Sequence, residues 1–259
     1  SDLRIFCEYE KLFLLSCQPS RAFDWLDQIG RLQELLPELY ATKGVAQNPE
    51  YHPEGDVFEH TKQAVDGAAQ AEYPTDEKRL LLIFSALCHD LGKVLTSRII
   101  EGRIRSHGHD VAGVPLTEQL LDRLTGKTWF KRPVTRLVRY HMQPYYFAAD
   151  VSVGDGAYKR LARNLAPDTC IEDLVCLALV DKSARNPERG CPLPVEKQQE
   201  KLQPFIDRAR ALGVWLQPEV PVLTGADLQA EGIVDGPRMG LLLQRAYELQ
   251  IEKGITDKD

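Results

Sequence analysis

The chain has 259 residues, 43% of them apolar and 27% charged, which is enough to close one large hydrophobic core or two small ones. A formal net charge of −6 argues against a broadly basic nucleic-acid surface, although local basic runs exist. No apolar run approaches the roughly 20 residues that span a bilayer, and no basic-then-apolar secretory pattern opens the sequence, so a cytoplasmic address without a membrane partner is expected.

Apolar residues recur at helical spacing through most of the chain, while alternating strand patterns are scarce, which predicts an all-α fold. Ser20 is placed to cap a helix from about Arg21 to Ile29, Gly30 stops it, and a second helical run reaches Tyr40. The polar, turn-rich stretch Asn48-Pro-Glu-Tyr-His-Pro-Glu-Gly55 reads as a loop, and the helix after it, about 57–71, carries His60. Pro74, Thr75 and Asp76 open a helix over about 79–91 that is apolar nearly all round and belongs in a core. At its end stand His89 and Asp90, which cost free energy there unless paired or metal-bound.

Further helices are expected at about 111–124, 133–141, 157–164, 171–183 and 196–212. A Pro-rich linker over 186–194 leads into a smaller helical appendage punctuated by Pro221, Gly225, Gly232, Gly236, Pro237 and Gly240. The expected division is an N-terminal helical neck (1–46), a central domain (47–185) and a C-terminal helical region (186–259). Six cysteines (Cys7, Cys17, Cys88, Cys170, Cys176, Cys191) form no Cys-x-x-Cys pair and are expected to be reduced and structural. Lys131, Arg132, Arg136 and Arg139, then Lys159, Arg160 and Arg163, read as solvated helix faces.

All six histidines (His52, His60, His89, His107, His109, His141) fall between positions 52 and 141. Imidazole with carboxylate suits manganese, iron, cobalt, nickel or zinc, and magnesium where carboxylates and water dominate. These residues sit on different predicted helices, so they meet only where helices converge, as in the metal sites of helical bundles. Adjacent helical residues point about 100° apart, so His89 and Asp90 can share one ion only at a helix end, which Gly92 is expected to supply.

The order His60, His89-Asp90, Asp181, the last within the apolar run Leu177-Ala-Leu-Val-Asp181, resembles the HD superfamily of metal-dependent phosphohydrolases. That resemblance implies a first divalent ion held by His60, His89, Asp90 and Asp181, with Asp90 bridging to a second ion in binuclear members. His109, which begins His-x-x-x-Gly with Gly113, and His141, which ends Val-Arg-Tyr-His, look like the two additional histidines of binuclear HD enzymes. His107 is the alternative to His109, as ligand or as a neighbour supporting the ligands. Lys93 is placed either to meet a phosphate oxygen or to act as a solvated charge at a helix C-terminus. His52 packs or hydrogen-bonds within its loop or lies over the pocket, and Asp56 is a supplementary ligand or a helix cap. Tyr140, Tyr145 and Tyr146 read first as core or pocket wall.

The segments Asn48 to Thr61, Leu87-Cys-His-Asp-Leu-Gly-Lys93 and Ser106-His-Gly-His-Asp110 are similar to the HD region of bacterial CCA-adding enzymes, the tRNA nucleotidyltransferases. Leu223-Thr-Gly-Ala-Asp-Leu228 and Gly236-Pro-Arg-Met-Gly240 are similar to the C-terminal RNA-binding region of that family. Nucleotidyl transfer needs a Gly-rich turn and a strand bearing Asp-x-Asp for two magnesium ions. Only Asp257 and Asp259 have that spacing, so nucleotide addition by this chain is not expected. The resemblance implies hydrolysis of a phosphoester, such as a 2′,3′-cyclic phosphodiester or a 2′-phosphate, by metal-activated water, with a nucleotide or RNA end as substrate and tRNA as candidate partner. Three rivals remain: an RNA-binding body without hydrolase activity, a di-iron oxygenase of the same ligand order, and a hydrolase of free nucleotides.

Overall fold

The computed structural model describes residues 2–188 and 193–258. It opens with α1 (Asp2–Leu15), α2 (Ser20–Gln28) and two single-turn helices, α3 (Leu32–Leu35) and α4 (Pro37–Tyr40). The central elements are α5 (Val57–Gln70), α6 (Asp76–Cys88), α7 (Lys93–Thr96), β1 (Arg98–Ile100), β2 (Arg103–Arg105), α8 (His109–Leu124), α9 (Thr128–Tyr140), α10 (Gln143–Ala149), α11 (Asp155–Leu165) and α12 (Ile171–Ser183). Then come α13 (Glu196–Ala211), α14 (Gly225–Ala230) and α15 (Pro237–Lys253). The fold is all-α, with one two-stranded antiparallel hairpin among the described residues.

α6 is the axis of the bundle. Every residue from Leu80 to Cys88 is buried, as its all-round apolar sequence requires, and α5, α9 and α12 pack around it. α1 adds an aromatic wedge: Phe6, Tyr9 and Phe13 recur at helical spacing, and the Phe13 and Phe130 rings meet Phe84 edge-on with centroids at 4.9 and 5.1 Å. On the far side, Phe147 of α10, Tyr158 of α11 and Phe205 of α13 form a second aromatic group continuous with the same core.

The caps explain where the helices begin, and they amend two sequence expectations. Asp56 caps α5, its Oδ1 accepting from the Glu59 amide at 2.9 Å, and Thr75 caps α6 through the Lys78 amide at 3.2 Å. Ser20 does not cap α2. It is the first residue of the helix, and its hydroxyl donates instead to Asp66 Oδ2 of α5 at 2.6 Å, while its amide donates to Oδ1 at 2.9 Å. Gly30, by contrast, has the left-handed φ of +70° that ends α2 as expected.

Gly92 does not end α6 in that way. Its φ is −64°, and α6 is already finished at Cys88 with His89 as its cap residue. What Gly92 supplies is closeness: a Cβ there would lie 2.0 Å from the His109 carbonyl oxygen and 2.5 Å from the Gly113 amide nitrogen. The missing side chains of Gly92 and Gly113 let the α6–α7 corner and α8 touch backbone to backbone.

The basic runs are mostly ion-paired rather than simply solvated. Arg139 donates to Asp110 at 2.6 Å, Arg132 and Arg136 share Asp168 at 3.1 Å, and Arg160 meets Glu248 at 2.7 Å. Among the described cysteines Cys7 and Cys17 are exposed thiols, Cys88 is buried, and Cys170 and Cys176 are half-buried, all free; Cys191 lies outside the described residues, as do 189–192 of the expected linker.

Candidate metal centre

Helix ends carry this site. His89 is the cap residue of α6, His141 is the cap residue of α9, and His109 is the first residue of α8. In each of these the ring Nδ1 donates to the carbonyl three residues earlier: His89 to Ala86, His109 to Ser106 and His141 to Val138, all at 2.7 Å. His60, inside α5, has its Nδ1 shared between Glu54 Oε1 at 2.7 Å and the Ala184 carbonyl at 2.9 Å. A ring nitrogen facing an acceptor carries the proton, so all four Nε2 atoms are left with lone pairs.

Those lone pairs face one another. His60 and His89 bring their Nε2 atoms to 3.2 Å, and His109 and His141 bring theirs to 3.1 Å. Two acceptors at such distances repel unless positive charge lies against them, and the donor chemistry fits a divalent ion held by imidazole. Asp90 stands between the pairs. Its Oδ2 is 3.3 Å from His89 Nε2 and 3.5 Å from His60 Nε2, while its Oδ1 is 3.3 Å from His109 Nε2 and 4.0 Å from His141 Nε2. The donor atoms of His60, His89 and Asp90 lie within 4.8 Å of one another, as do those of Asp90, His109 and His141. Asp181 Oδ1 reaches His60 Nε2 at 3.2 Å but does not join the mutual 4.8 Å group.

Electrostatics reinforce this reading. Burial pushes the Asp90 carboxyl up, but Lys93 and the imidazoles of His89 and His109 outweigh it and hold Asp90 well below the usual carboxylate range. Asp181 is likewise held low, with Lys182, Arg185 and His60 outweighing burial. His60 is lowered by burial, yet its bonds to Asp181 and Glu54 and the charge of Asp90 raise it on balance, so the field favours positive charge at its Nε2, whether proton or metal ion. Burial, aided by His109 and His89, pushes His141 down to about 3, and His109 is lowered mainly by burial.

The remaining sequence-selected residues fall into place around this centre. Lys93 is not a solvated helix charge. It is 7% exposed, with Nζ 2.7 Å from both Asp90 Oδ2 and Gln47 Oε1. His107 is exposed at the cleft rim, whereas His109 is buried and turned inward. Asp56 is not drawn to the site, because both its oxygens accept backbone amides, from Glu59 at 2.9 Å and Gly44 at 2.6 Å. His52 hydrogen-bonds within its loop, its Nδ1 donating to Glu54 Oε1 at 2.8 Å, and also lines the cleft. Tyr146 lines the cleft, while Tyr140 and Tyr145 pack against the core.

Glu54 and Gln47 were not singled out in the sequence. Both are buried polar side chains that hold site residues, Glu54 the rings of His52 and His60, and Gln47 the ammonium of Lys93. The only sequence signal was a carboxylate two residues past His52 in a turn-rich loop. Above the centre opens a cleft of about 560 Å³ walled by Lys93, Lys182 and Arg185, each paired to Asp90 or Asp181, and by Asp110.

Helix-end histidines converging on a shared aspartate at the heart of an α-bundle form a candidate metal centre of the HD type. The HD domain family matches residues 57–186, half of the chain, and the chain belongs to that family, which implies the metal-dependent phosphohydrolase superfamily. The "Multifunctional CCA protein" of Pasteurella multocida is 41% identical over 120 residues, covering 46% of this chain and 28% of the relative. The protein of the same name from Mannheimia succiniciproducens is 37% identical over 138 residues, covering 53% of this chain and 32% of the relative. That from Halorhodospira halophila is 36% identical over 132 residues, covering 51% and 30%. The matched segment thus spans under a third of the length of these relatives. Among the described residues no helix is long and apolar enough to cross a membrane.

Proposed function

We propose that this chain is a metal-dependent phosphoester hydrolase acting on nucleotides or RNA ends. The observation that carries the reading is the pair of facing Nε2 couples with Asp90 between them at the floor of a cleft that Lys93, Lys182 and Arg185 line. In this reading His60, His89 and Asp90, with Asp181 against His60, hold one divalent ion, and Asp90, His109 and His141 hold a second. Manganese, nickel, cobalt, iron, magnesium and zinc are the candidate ions. Such ions lower the pKa of a bound water towards neutrality and neutralise charge on a phosphoryl group.

The protein's own groups do the rest. The carbonyls of Ala86, Ser106 and Val138 fix the ring orientation of three ligands, and Glu54 with the Ala184 carbonyl fixes the fourth. Lys93 holds Asp90 ionised, and Lys182 and Arg185 offer positive charge to phosphate oxygens entering the cleft. Residues 47–185 supply the chemistry, 1–46 act as a neck beneath it, and 186–259 supply an RNA-contacting region. The CCA relatives favour tRNA as the source of the RNA end, and 2′,3′-cyclic phosphate, 2′-phosphate and simple phosphomonoesters as substrates. Asp90→Ala should lose both metal, by elemental analysis, and turnover of 2′,3′-cyclic nucleotides. Full activity in that variant refutes the assignment.

A second reading, an RNA-binding body without hydrolase activity, is favoured by a separate cavity of about 650 Å³ between α9, α11 and α15 that Arg136, Arg139 and Arg163 line. Gel-shift of tRNA without hydrolysis of cyclic phosphate in the presence of divalent metals would select it.

A further inference from the structure

Between Lys93 and His109 the chain leaves the metal centre as the β1–β2 hairpin and returns to it. The register pairs Arg98 with Arg105, Ile99 with Ile104 and Ile100 with Arg103. Directly opposed residues share a face and alternate residues repeat on it, so one face carries Arg98, Arg103 and Arg105 around Ile100, and the other carries Ile99 and Ile104. Ile104 lines the cleft, which places the isoleucine face at its rim and leaves the arginine face exposed to solvent. The hairpin is fastened at its base by the Ser97 and Ser106 hydroxyls, 2.8 Å apart.

This arrangement works against the hairpin's own stability. Like charges directly opposite each other destabilise a strand pair, and a lone two-stranded hairpin is marginal to begin with. Among the described residues Arg98 and Arg103 make no ion pair, and Arg105 has only Glu101 at 3.6 Å, a glutamate 82% exposed. Such a pair is worth little. In a chain of net charge −6, two unpaired guanidiniums and one weakly paired one gathered on one face of this hairpin select a partner with several negative charges in a row.

We infer that the arginine face of β1–β2 docks the phosphodiester backbone of single-stranded RNA whose terminal phosphate lies in the cleft. This rests on the hydrolase reading for the cleft and adds a polynucleotide substrate to it. Guanidiniums bind phosphate oxygens through paired N–H groups, and arginines two apart on a strand are about 7 Å apart, so one chain of phosphates engages several at once while a free nucleotide engages at most one. Ile99, 77% exposed on the opposite face, offers an apolar surface to a base near the rim.

The test compares the whole chain with the variant Arg98→Ala/Arg103→Ala/Arg105→Ala, using a 5′-labelled unstructured oligoribonucleotide ending in 2′,3′-cyclic phosphate. Fluorescence anisotropy in EDTA reads binding without turnover, so failure of the hydrolase reading leaves this measurement intact. The triple variant is expected to bind about tenfold or more weakly, with a log–log salt slope shallower by about 2, as three lost phosphate contacts require. With metal added, the ratio of kcat/KM for the oligonucleotide to that for a 2′,3′-cyclic mononucleotide should fall about tenfold. Arg103→Ala alone should give about a third of the slope change, and its melting temperature checks that the fold survives. Unchanged binding overturns the inference. So does an equal loss in Arg4→Ala/Arg21→Ala, which removes exposed charge from the neck, or competition by polyglutamate as effective as competition by RNA, which would assign the face to acidic protein instead.

Discussion

Gly92→Ala adds a single methyl group at the most crowded backbone crossing in the molecule. The new carbon would sit 2.0 Å from the His109 carbonyl oxygen, 2.5 Å from the Gly113 amide nitrogen and 2.9 Å from the His109 carbonyl carbon. Non-bonded heavy atoms settle at about 3.5–4.0 Å, and all three obstacles are backbone, so no rotamer change relieves them. α8 has to retreat by an ångström or more from the α6–α7 corner. Overpacking of this kind costs about 3 kcal/mol, the upper end of its usual range, which lowers Tm by about 6–12 °C in a domain of this size. The retreat also carries His109 away from Asp90 Oδ1, now 3.3 Å from its Nε2, so the His109–His141 side of the site should lose metal before the His60–His89 side does. Calorimetry and metal analysis of Gly92→Ala beside Gly113→Ala make the check. A Cβ on Gly113 meets its nearest neighbours at 3.3 and 3.4 Å, so that variant should cost less than half as much. A Gly92→Ala protein that melts within about 2 °C of the parent with its full metal content would refute the reasoning.

Glu54→Gln keeps the size of the side chain but removes the charge that accepts from both His52 and His60, and metal affinity measured by competition with a chelator should fall about 10- to 100-fold. In metal-free protein His141 has a folded pKa near 3 against an ordinary 6.5, so the unfolded chain binds the extra proton first and stability is lost as pH falls from about 6.5 to 3. His141→Gln should flatten that part of a urea-denaturation profile against pH. Burial pushes the Cys176 thiol up to about 12 and raises Cys88 further still, so at pH 8 a thiol reagent should label Cys7 and Cys17 within minutes and Cys88 and Cys176 only on unfolding, as peptide mass spectrometry would show.

The bundle was legible because α6 is apolar on every side and α5 and α12 repeat at helical spacing, and such patterns tolerate few other folds. The imidazoles of His60, His89, His109 and His141 were legible by type and order, since a buried His-Asp corner demands a partner. Glu54 and Gln47 were not, because their roles exist only once α5 and α7 face each other, and no periodicity marks them. The hairpin escaped for a related reason. Its strands are three residues long and exposed on both faces, so no buried alternation betrays them, and the left-handed pair Glu101 (φ 51°) and Gly102 (φ 73°) that turns it lacks the Asn-Gly or Asp-Gly signature of such turns. The start of α2 differs from the expectation at Ser20 because a serine before an apolar run looks like a cap whether its hydroxyl turns to its own helix or, as here, to Asp66 across the bundle.

Gly92 and Gly113 also set the evolutionary freedom of the molecule. Because the backbone at Gly92 rests directly against the start of α8, the chain between Ser97 and Ser106 is an excursion that departs from and comes back to one fixed base. Its length and composition can drift without shifting Asp90 relative to His109. Descendants of this scaffold can therefore exchange one rim for another, and one class of ligand for another, while the histidine–aspartate floor beneath stays as it is.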